Sequence, residues 1–394
     1  MEYIFADRMG KVQASAIREI LKFTSEPGVI SLAAGNPAPE AFPIDAVRQI
    51  TEKILTENPI LSLQYSITEG YPKLRETLKT YLKTKKGLGQ DFDDLITTSG
   101  AQQAIDLATR IFCQKGDTIL CEAPTFVGSL NGFKASEANV VGIPMEEDGI
   151  SIEALEKALQ TNKNVKFLYV IPNFQNPSGI TMSLAKRKSV YELAKKYGIM
   201  ILEDNPYGEL RFSGEDIPCI KSLDTDGLVI YCGSFSKVLS PGLRVGYVLA
   251  PAPVIGKMVV LKQTNDVHTG IMAQIICEQF MNEYDFEAHI ASLRKIYRKK
   301  AQLMLDCFEP YFDPAVTHTV PDGGLFIWCT LPDHINMMSF CQRAVQEYKV
   351  AVVPGSAFMV RESDPTQSFR INFSTPTDEQ ILRGMELLGK LTKA

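Results

Sequence analysis

Residues 227–251 read GLVIYCGSFSKVLSPGLRVGYVLAP, two apolar runs separated by a polar turn that carries a lysine and an arginine. Each run has the length and the β-branched and aromatic content of a buried strand. Upstream, similar apolar runs alternate with amphipathic patterns, as where VKFLYVIP (165–172) precedes LAKRKSVYELAKKYG (184–198). Buried strands that alternate with helices predict an α/β fold, with a mostly parallel sheet flanked by helices.

The pattern of the chain changes after about residue 285. A long polar helix is predicted at about 286–308, and FIWCTLP, VAVVPG and SFRINFS then read as strands interleaved with helices at 339–348 and 377–392. This pattern indicates a second, smaller α/β unit. We therefore divide the chain into an N-terminal segment (1–50), a large domain (51–285) and a C-terminal small domain (286–394).

The composition excludes several classes of protein. The chain has 394 residues and a formal net charge of −5, so nothing in its overall charge points to nucleic acid as a partner. It contains no run of about 18 apolar residues and no signal-peptide pattern at its start, so we expect no membrane partner. The eight cysteines form no C-x-x-C pair and the four histidines show no ligand spacing. We expect buried free thiols, no metal and a cytoplasmic location.

Lys237 is the most informative side chain of the polar turn. Ligands of open parallel sheets bind beyond the carboxyl ends of the strands, and Lys237 directly follows such a strand. A lysine removed from water has a lowered pKa and can attack an aldehyde. The alternative is a half-buried lysine that extends its amine to solvent.

The groups around Lys237 favour the first interpretation, because they resemble a phosphate site. Arginine binds phosphate through paired hydrogen bonds, and a helix N-terminus offers free N–H groups. The candidates for this role are Ser234, Ser236, Arg244 and the strand-to-helix turn of Gly100, Ala101 and Gln102.

Other side chains at the strand ends complete the set that pyridoxal phosphate needs. Asp204 ends a strand, where it is either a turn cap or the partner of a protonated pyridine nitrogen. Asn176 and Tyr207 can donate hydrogen bonds to a phenolate oxygen, and Phe126 can stack on a ring or pack in the core. Together they predict a pyridoxal 5'-phosphate site.

The motifs SFSKVLSPGLRVGY (234–247), NPSG (176–179) and DNPYGEL (204–210) resemble those of class I/II aminotransferases of fold type I. The 2-aminoadipate and kynurenine aminotransferase subgroup is the most similar. Its likeness rests on QASAIRE (13–19), SLAAGNPAPEAFP (31–43), LQYSITEGYPKLRE (63–76), PDGGLFIW (321–328) and SFRINFS (368–374). The resemblance covers essentially the whole chain. It implies a large cofactor-binding domain and a small domain built from both terminal segments.

The resemblance also implies roles for individual residues. Lys237 would form the Schiff base and shuttle the proton, Asp204 would pair with the pyridine nitrogen, and Tyr207 and Asn176 would bind the ring oxygen. Tyr65 would reach the phosphate of the other subunit of a homodimer with composite sites. The substrate would meet Arg370 through its α-carboxylate, and also Gly35, Asn176 and Arg18.

The implied reaction is a ping-pong transfer of an amino group from an L-amino acid to a 2-oxo acid. The substrates would be 2-aminoadipate, aromatic or aliphatic amino acids with 2-oxoglutarate. Arg18 would then read a distal carboxylate, and the alternative is that it only pairs with Glu19 or another surface carboxylate. Two alternatives remain open at this point. One is another fold type I reaction, β-elimination or racemisation, and the other is a non-catalytic sensor that binds pyridoxal phosphate. A transcriptional regulator would need an N-terminal helix-turn-helix domain, and the aminotransferase pattern begins by about residue 10.

Overall fold

The computed structural model describes residues 3–11 and 28–393. The predicted amphipathic stretch SAIREILKFT (15–24) lies outside these residues. The helices are α1 (Ile44–Glu57), α2 (Pro59–Leu63), α3 (Pro72–Lys86), α4 (Ala101–Phe112), α5 (Val127–Ala135), α6 (Ile152–Thr161), α7 (Leu184–Tyr197), α8 (Ala252–Gln263), α9 (Ile271–Glu283), α10 (Phe286–Leu305), α11 (Phe308–Tyr311), α12 (Met337–Gln346) and α13 (Asp378–Thr392). The strands are β1 (Ile30–Ser31), β2 (Asp93–Thr98), β3 (Thr118–Ala123), β4 (Asn139–Glu146), β5 (Gly149–Ile150), β6 (Val165–Val170), β7 (Met200–Asp204), β8 (Val229–Ser234), β9 (Gly246–Pro251), β10 (Thr317–His318), β11 (Phe326–Thr330), β12 (Val350–Ala351), β13 (Val353–Pro354) and β14 (Ser368–Asn372).

The central sheet has eight strands in the order β2-β9-β8-β7-β6-β3-β4-β5. The run from β8 to β4 is parallel throughout. Strand β9 is antiparallel to both of its neighbours, and β5 is antiparallel to β4. Every residue of β8 is buried, as expected for a strand covered on both faces. The predicted α/β fold with a mostly parallel sheet is confirmed.

Local sequence signals explain where the main helices begin and end. Helix α7 begins after Ser183, whose side chain accepts a hydrogen bond from the backbone N–H of Lys186. It ends at Gly198, which adopts the left-handed conformation with a φ of 64°. Helix α4 begins directly after Gly100 and spans the predicted residues 101–112. Its N-terminus therefore lies at the carboxyl end of strand β2.

The C-terminal part forms a separate four-stranded sheet in the order β10-β11-β14-β13. Strand β1 pairs in parallel with β12, which ties residues 30–31 to residues 350–351. One hydrophobic cluster nevertheless contains residues from both the large sheet and this unit, including Leu95 and Phe369. The domain boundaries at 50/51 and 285/286 therefore stay predictions.

A buried ion pair holds the edge of the large sheet. The ammonium of Lys221 lies 2.7 Å from Asp93 and 2.8 Å from Asp224, and all three side chains are at most 1% exposed. It also donates a hydrogen bond to the backbone oxygen of Val229 at 3.0 Å. Removing one partner of such a pair typically costs about 3–5 kcal/mol, because it leaves a charge unpaired in the interior.

Two expectations, one about the cysteines and one about helices that could span a membrane, can be compared with the fold. All eight cysteines are free, seven are buried and Cys113 is half-buried, which confirms the prediction of buried free thiols. Across residues 3–11 and 28–393, none of the helices combines the length and the apolar character needed to cross a bilayer.

Candidate active site

A cavity of about 330 Å³ opens where the carboxyl ends of the central strands meet the C-terminal unit. Its volume lies within the range of small-molecule sites. Of the residues predicted for the site, those that line it are Gly35, Ala101, Gln102, Phe126, Asn176, Asp204, Tyr207, Ser234, Ser236, Lys237, Arg244 and Arg370. Its described charged side chains are three cations and one carboxylate, so the cavity favours an anionic ligand.

Lys237 follows strand β8, and its amine faces the cavity. The amine donates a hydrogen bond of 2.7 Å to the backbone oxygen of Gly35. Burial lowers the pKa of Lys237 to about 8, and the positive charges of Arg370 and Arg244 contribute to the same shift. A substantial fraction of the amine is therefore neutral near pH 8, which is the nucleophilic form.

Asp204 is the last residue of strand β7, and it is 2% exposed. Its Oδ2 accepts a 2.7 Å hydrogen bond from the hydroxyl of Tyr169, whereas Oδ1 has no partner among the described residues. Burial raises the pKa of Asp204 to about 6, and the hydrogen bond from Tyr169 partly opposes that rise. A buried carboxylate oxygen without a partner is costly unless a ligand pairs with it.

The turn before helix α4 has the geometry of an anion site. Gly100 adopts a φ of 79°, and among residues 3–11 and 28–393 no side chain caps the first N–H groups of the helix, which leaves them available to a ligand. Arg244 donates a hydrogen bond of 3.3 Å to the backbone oxygen of Ser99. A Cβ on Gly100 would collide with this guanidinium, so glycine permits the close approach. Ser234 and Ser236, hydrogen-bonded to each other at 3.0 Å, line the same cavity.

A chain of hydrogen bonds crosses another wall of the cavity. The Asn176 amide donates to the Tyr207 hydroxyl at 3.3 Å, and its oxygen accepts from Nη1 of Arg370 at 2.7 Å. The guanidinium of Arg370 lies 4.1 Å from the ring centre of Phe326 and 4.8 Å from that of Phe358. Burial lowers the pKa of Arg370 to about 10, so it stays charged at neutral pH. The two rings fix the orientation of the guanidinium.

Two of the predicted residues that the structure describes, Gly100 and Tyr65, do not line the cavity. Gly100 lies directly behind it, in the turn before helix α4. Tyr65 is 82% exposed and its ring packs edge-on against His268, with 5.9 Å between ring centres. Arg18 lies outside the described residues.

Sequence reasoning missed Tyr169, Phe326 and Phe358. A tyrosine inside an apolar strand carries a signal, since a buried hydroxyl needs a partner. The two phenylalanines carry no such signal, because nothing in their local sequence distinguishes them from core residues.

Comparisons with known proteins agree with this geometry. The family model for aminotransferase class I and II matches residues 27–388. The aromatic-amino-acid aminotransferase 1 of Thermococcus litoralis is 39% identical over 100% of this chain and 94% of its own length. The chain belongs to the class I and II aminotransferases.

Solved aminotransferase structures give the same result. The kynurenine aminotransferase of Pyrococcus horikoshii, solved in complex with PMP, superimposes with a TM-score of 0.95 at 38% identity, covering 99% of this chain and 97% of that one. The α-aminoadipate aminotransferase LysN of Thermus thermophilus, solved with N-(5'-phosphopyridoxyl)-L-leucine, gives a TM-score of 0.90 at 35% identity, covering 99% and 97%. This aminotransferase is therefore a fold type I enzyme that depends on pyridoxal phosphate.

The residues of the cavity fit that cofactor. The unpartnered Oδ1 of Asp204 offers a charge to a pyridinium N–H. The uncapped start of helix α4 and Arg244 offer donors to a phosphate, and Lys237 offers an amine of lowered pKa to an aldehyde. Each group is thus complemented by one feature of the cofactor.

Proposed function

We propose that the cavity around Lys237 is where this aminotransferase moves the amino group of an L-amino acid to a 2-oxo acid. One observation carries the proposal: the amine of Lys237, the free oxygen of Asp204 and the guanidinium of Arg370 meet in a single cavity. When bound, pyridoxal phosphate supplies an aldehyde and a ring that accepts electrons. The remaining chemistry belongs to the protein.

The cofactor would be held at four points. The phosphate would receive hydrogen bonds from Arg244, Ser234, Ser236 and the first N–H groups of helix α4, at Ala101 and Gln102. Asp204 would pair with the ring nitrogen and keep it protonated, Asn176 and Tyr207 would bind the ring oxygen, and Phe126 would cover the ring face. The donors at one end and the carboxylate at the other fix the direction in which the cofactor lies.

Arg370 and Lys237 would act on the substrate. Arg370 would bind the α-carboxylate, with Phe326 and Phe358 holding its guanidinium in place. Lys237 in its neutral form would take the proton from the substrate Cα and return it, which is general base catalysis by a group whose pKa lies near the working pH. Gly35 would lie against the substrate, because it lines the same cavity; a Cβ there would come within 2.7 Å of the Phe326 ring.

For substrates we propose 2-aminoadipate and aromatic or aliphatic amino acids, with 2-oxoglutarate as the acceptor in a ping-pong reaction. The relatives named above are aminotransferases of aromatic amino acids, kynurenine and α-aminoadipate. Phe326, Phe126 and Val127 give the described cavity wall an apolar part that suits such side chains. Arg18 would meet the distal carboxylate of glutamate and 2-aminoadipate.

We also propose that the active unit is a cytoplasmic homodimer. Tyr65 is exposed and lies outside its own cavity. Exposed apolar side chains surround it in sequence, namely Ile60, Leu61, Leu63 and Ile67, exposed by 73%, 46%, 72% and 48%. A cluster of this kind is typical of a surface that a second copy covers. Tyr65 would then reach the phosphate of the partner's site.

The test of the function is the identity of the lysine that binds the cofactor. We expect borohydride reduction of the holoenzyme, followed by peptide mapping, to place the cofactor on Lys237. Lys237→Ala should fold normally and lose the amino-acid-dependent conversion of 2-oxoglutarate to glutamate. Lys257→Ala, on the exposed face of helix α8, is the matched control and should keep it. A reduced adduct on another lysine would refute the assignment, and racemisation without amino transfer would favour a different reaction.

The role of Arg18 has a separate test. Arg18→Ala should raise the KM for glutamate and 2-aminoadipate by about tenfold or more, because one charge-assisted hydrogen bond is lost. The KM for leucine and phenylalanine should stay within about twofold, which makes these substrates the internal control. An equal effect on all four amino acids, or none, would show that Arg18 does not read the side chain.

A further inference from the structure

An ion pair between Lys262 and Asp266, whose side chain is 26% exposed, contacts the turn that precedes helix α4. Lys262, near the end of helix α8, is 0% exposed. Its ammonium donates hydrogen bonds to Oδ1 and Oδ2 of Asp266 at 2.7 and 2.8 Å, and to the side-chain oxygen of Gln103 at 2.8 Å. All three donor positions of the ammonium are therefore used within this group.

The ion pair is connected to Ser99, in the turn before helix α4, through the side chain of Ser99 and through its backbone N–H. The hydroxyl of Ser99 donates to Oδ2 of Asp266 at 2.7 Å. The backbone N–H of Ser99 donates to the same Gln103 oxygen that Lys262 binds, at 2.8 Å. Gln103 in turn donates to the side-chain oxygen of Asn265 at 2.7 Å. The hydroxyl of Ser99 is thus bonded directly to the segment 262–266, and its backbone N–H is linked to that segment through Gln103.

Ser99 is connected to the proposed phosphate site on its other side. Its backbone oxygen accepts the 3.3 Å hydrogen bond from Arg244, and the uncapped N–H groups of helix α4 begin two residues later. An anion site made of backbone N–H groups binds well only if those groups converge on one point. Whatever orients Ser99 therefore orients the donors to the phosphate.

We propose that Asp266 and Lys262 are positioning residues that set the affinity for the phosphate group of the cofactor, acting through Ser99. The proposal rests on the function proposed above, and neither residue lines the cavity. A purely structural ion pair would need no hydrogen bonds to this turn. Here the pair accepts one bond from the Ser99 hydroxyl and shares the acceptor of the Ser99 N–H.

The same segment also touches the residue proposed to cross the subunit interface. The ring of His268 packs edge-on against Tyr65, and the backbone N–H of His268 donates to the backbone oxygen of Asp266 at 2.7 Å. The segment 262–269 therefore supports the phosphate donors of its own cavity. It also contacts Tyr65, the tyrosine that would serve the cavity of the other subunit.

The experiment compares two ligands that differ only in the phosphate. Dissociation constants of pyridoxal phosphate and of pyridoxal are measured by absorbance titration of the full-length apoprotein. For Asp266→Asn we expect the affinity for pyridoxal phosphate to fall about tenfold or more, since a charge-assisted network is lost, while the affinity for pyridoxal changes less than about twofold. Inhibition of cofactor binding by inorganic phosphate should weaken in parallel.

Two further variants make the result decisive. Ser99→Ala removes the bond to Asp266 together with a longer contact of 3.4 Å to the hydroxyl of Thr269. It should shift the ratio of the two affinities in the same direction, by a smaller factor, even if Asp266→Asn fails to fold. Asp224→Asn disrupts the buried Lys221 pair elsewhere and should lower the Tm while leaving the ratio unchanged.

A proportional loss of affinity for both ligands, or an unchanged ratio in Ser99→Ala, would overturn the proposal. Failure of the wild-type protein to bind pyridoxal phosphate through Lys237 would instead refute the proposed function.

Discussion

At the scale of single residues, Asp204 has a buried carboxyl oxygen without a partner among the described residues. When this carboxyl is ionised, it lowers the stability of the folded protein. Burial raises its pKa from 3.8 to about 6, so the folded protein resists ionisation of this carboxyl. A raised carboxyl pKa contributes stability that is fully present below about pH 4 and is lost as the pH rises through about 6. The difference of about two pKa units corresponds to about 3 kcal/mol as an upper value.

We therefore predict that Asp204→Asn raises the stability of the apoprotein at pH 8 and not at pH 4. The amide carries no charge, so it avoids the cost of the buried carboxylate above pH 6. Activity should fall on the order of 10²-fold or more, because the ring nitrogen would lose its counter-charge.

The measurement is urea unfolding of the wild-type and variant apoproteins at the two pH values. Comparing the two proteins at each pH cancels the contribution of titrating groups that do not interact with Asp204. Asp204 helps to raise the pKa of Glu122 to about 8, so Glu122→Gln is introduced into both proteins as a common background. A variant that is less stable by the same amount at both pH values would show that the carboxylate is already compensated in the folded protein.

At the scale of elements, the N-terminus of helix α4 depends on one glycine. Gly100 adopts a φ of 79°, and a Cβ there would strike the guanidinium of Arg244. Gly87, which ends helix α3 with a φ of 65°, has open space around a Cβ. The two positions share the need for a positive φ and differ in what lies beside them.

We predict that Gly87→Ala, in the left-handed region, costs about 1 kcal/mol of stability. Gly100→Ala should cost about 1–3 kcal/mol, because its ψ of 170° lies in a region that is nearly confined to glycine. Only Gly100→Ala should displace Arg244, and it should weaken binding of pyridoxal phosphate about tenfold or more. Cofactor titration together with thermal unfolding separates the two effects. Equal cofactor affinities in the two variants would contradict a phosphate site at this turn.

At the scale of the whole molecule, the position of Tyr65 predicts that two chains complete each site. Tyr65→Phe and Lys237→Ala should each inactivate the homodimer severely. After subunit exchange, one site of a mixed dimer combines the intact Lys237 of the Tyr65→Phe chain with the intact Tyr65 of the Lys237→Ala chain. The second site carries both substitutions. One of the two sites in each mixed dimer should then be active.

The check is the activity of a refolded equimolar mixture relative to each variant alone. No recovery after demonstrated exchange, or a monomer in sedimentation experiments, would refute a composite site. Mixing Lys237→Ala with Lys257→Ala is the control, because it supplies wild-type Tyr65 on both chains.

Much of this protein could be predicted from local sequence. The bounds of helices α4 and α7 follow from glycine and serine signals within a few residues, and the strands follow from runs that are buried on both faces. Asp204 could be selected because it ends a strand. Lys237 could be selected because it follows a strand, and Arg244 because it lies in the adjoining turn. The roles of Tyr65 and Arg370 came from the family resemblance and not from any local pattern.

Strand order and long-range contacts were decided only in the tertiary structure. Nothing local shows that β9 lies antiparallel between β2 and β8, or that β1 pairs with β12. Tyr169 reaches Asp204 only because β6 and β7 are neighbours in the sheet, and Asp266 reaches Ser99 across 167 residues. Hydrophobic periodicity specifies which face of an element is buried, but it does not specify which other element covers that face. The sequence by itself therefore determined the main elements and pointed to Lys237 as the lysine that we propose to be reactive. The packing of those elements decided which side chains surround it.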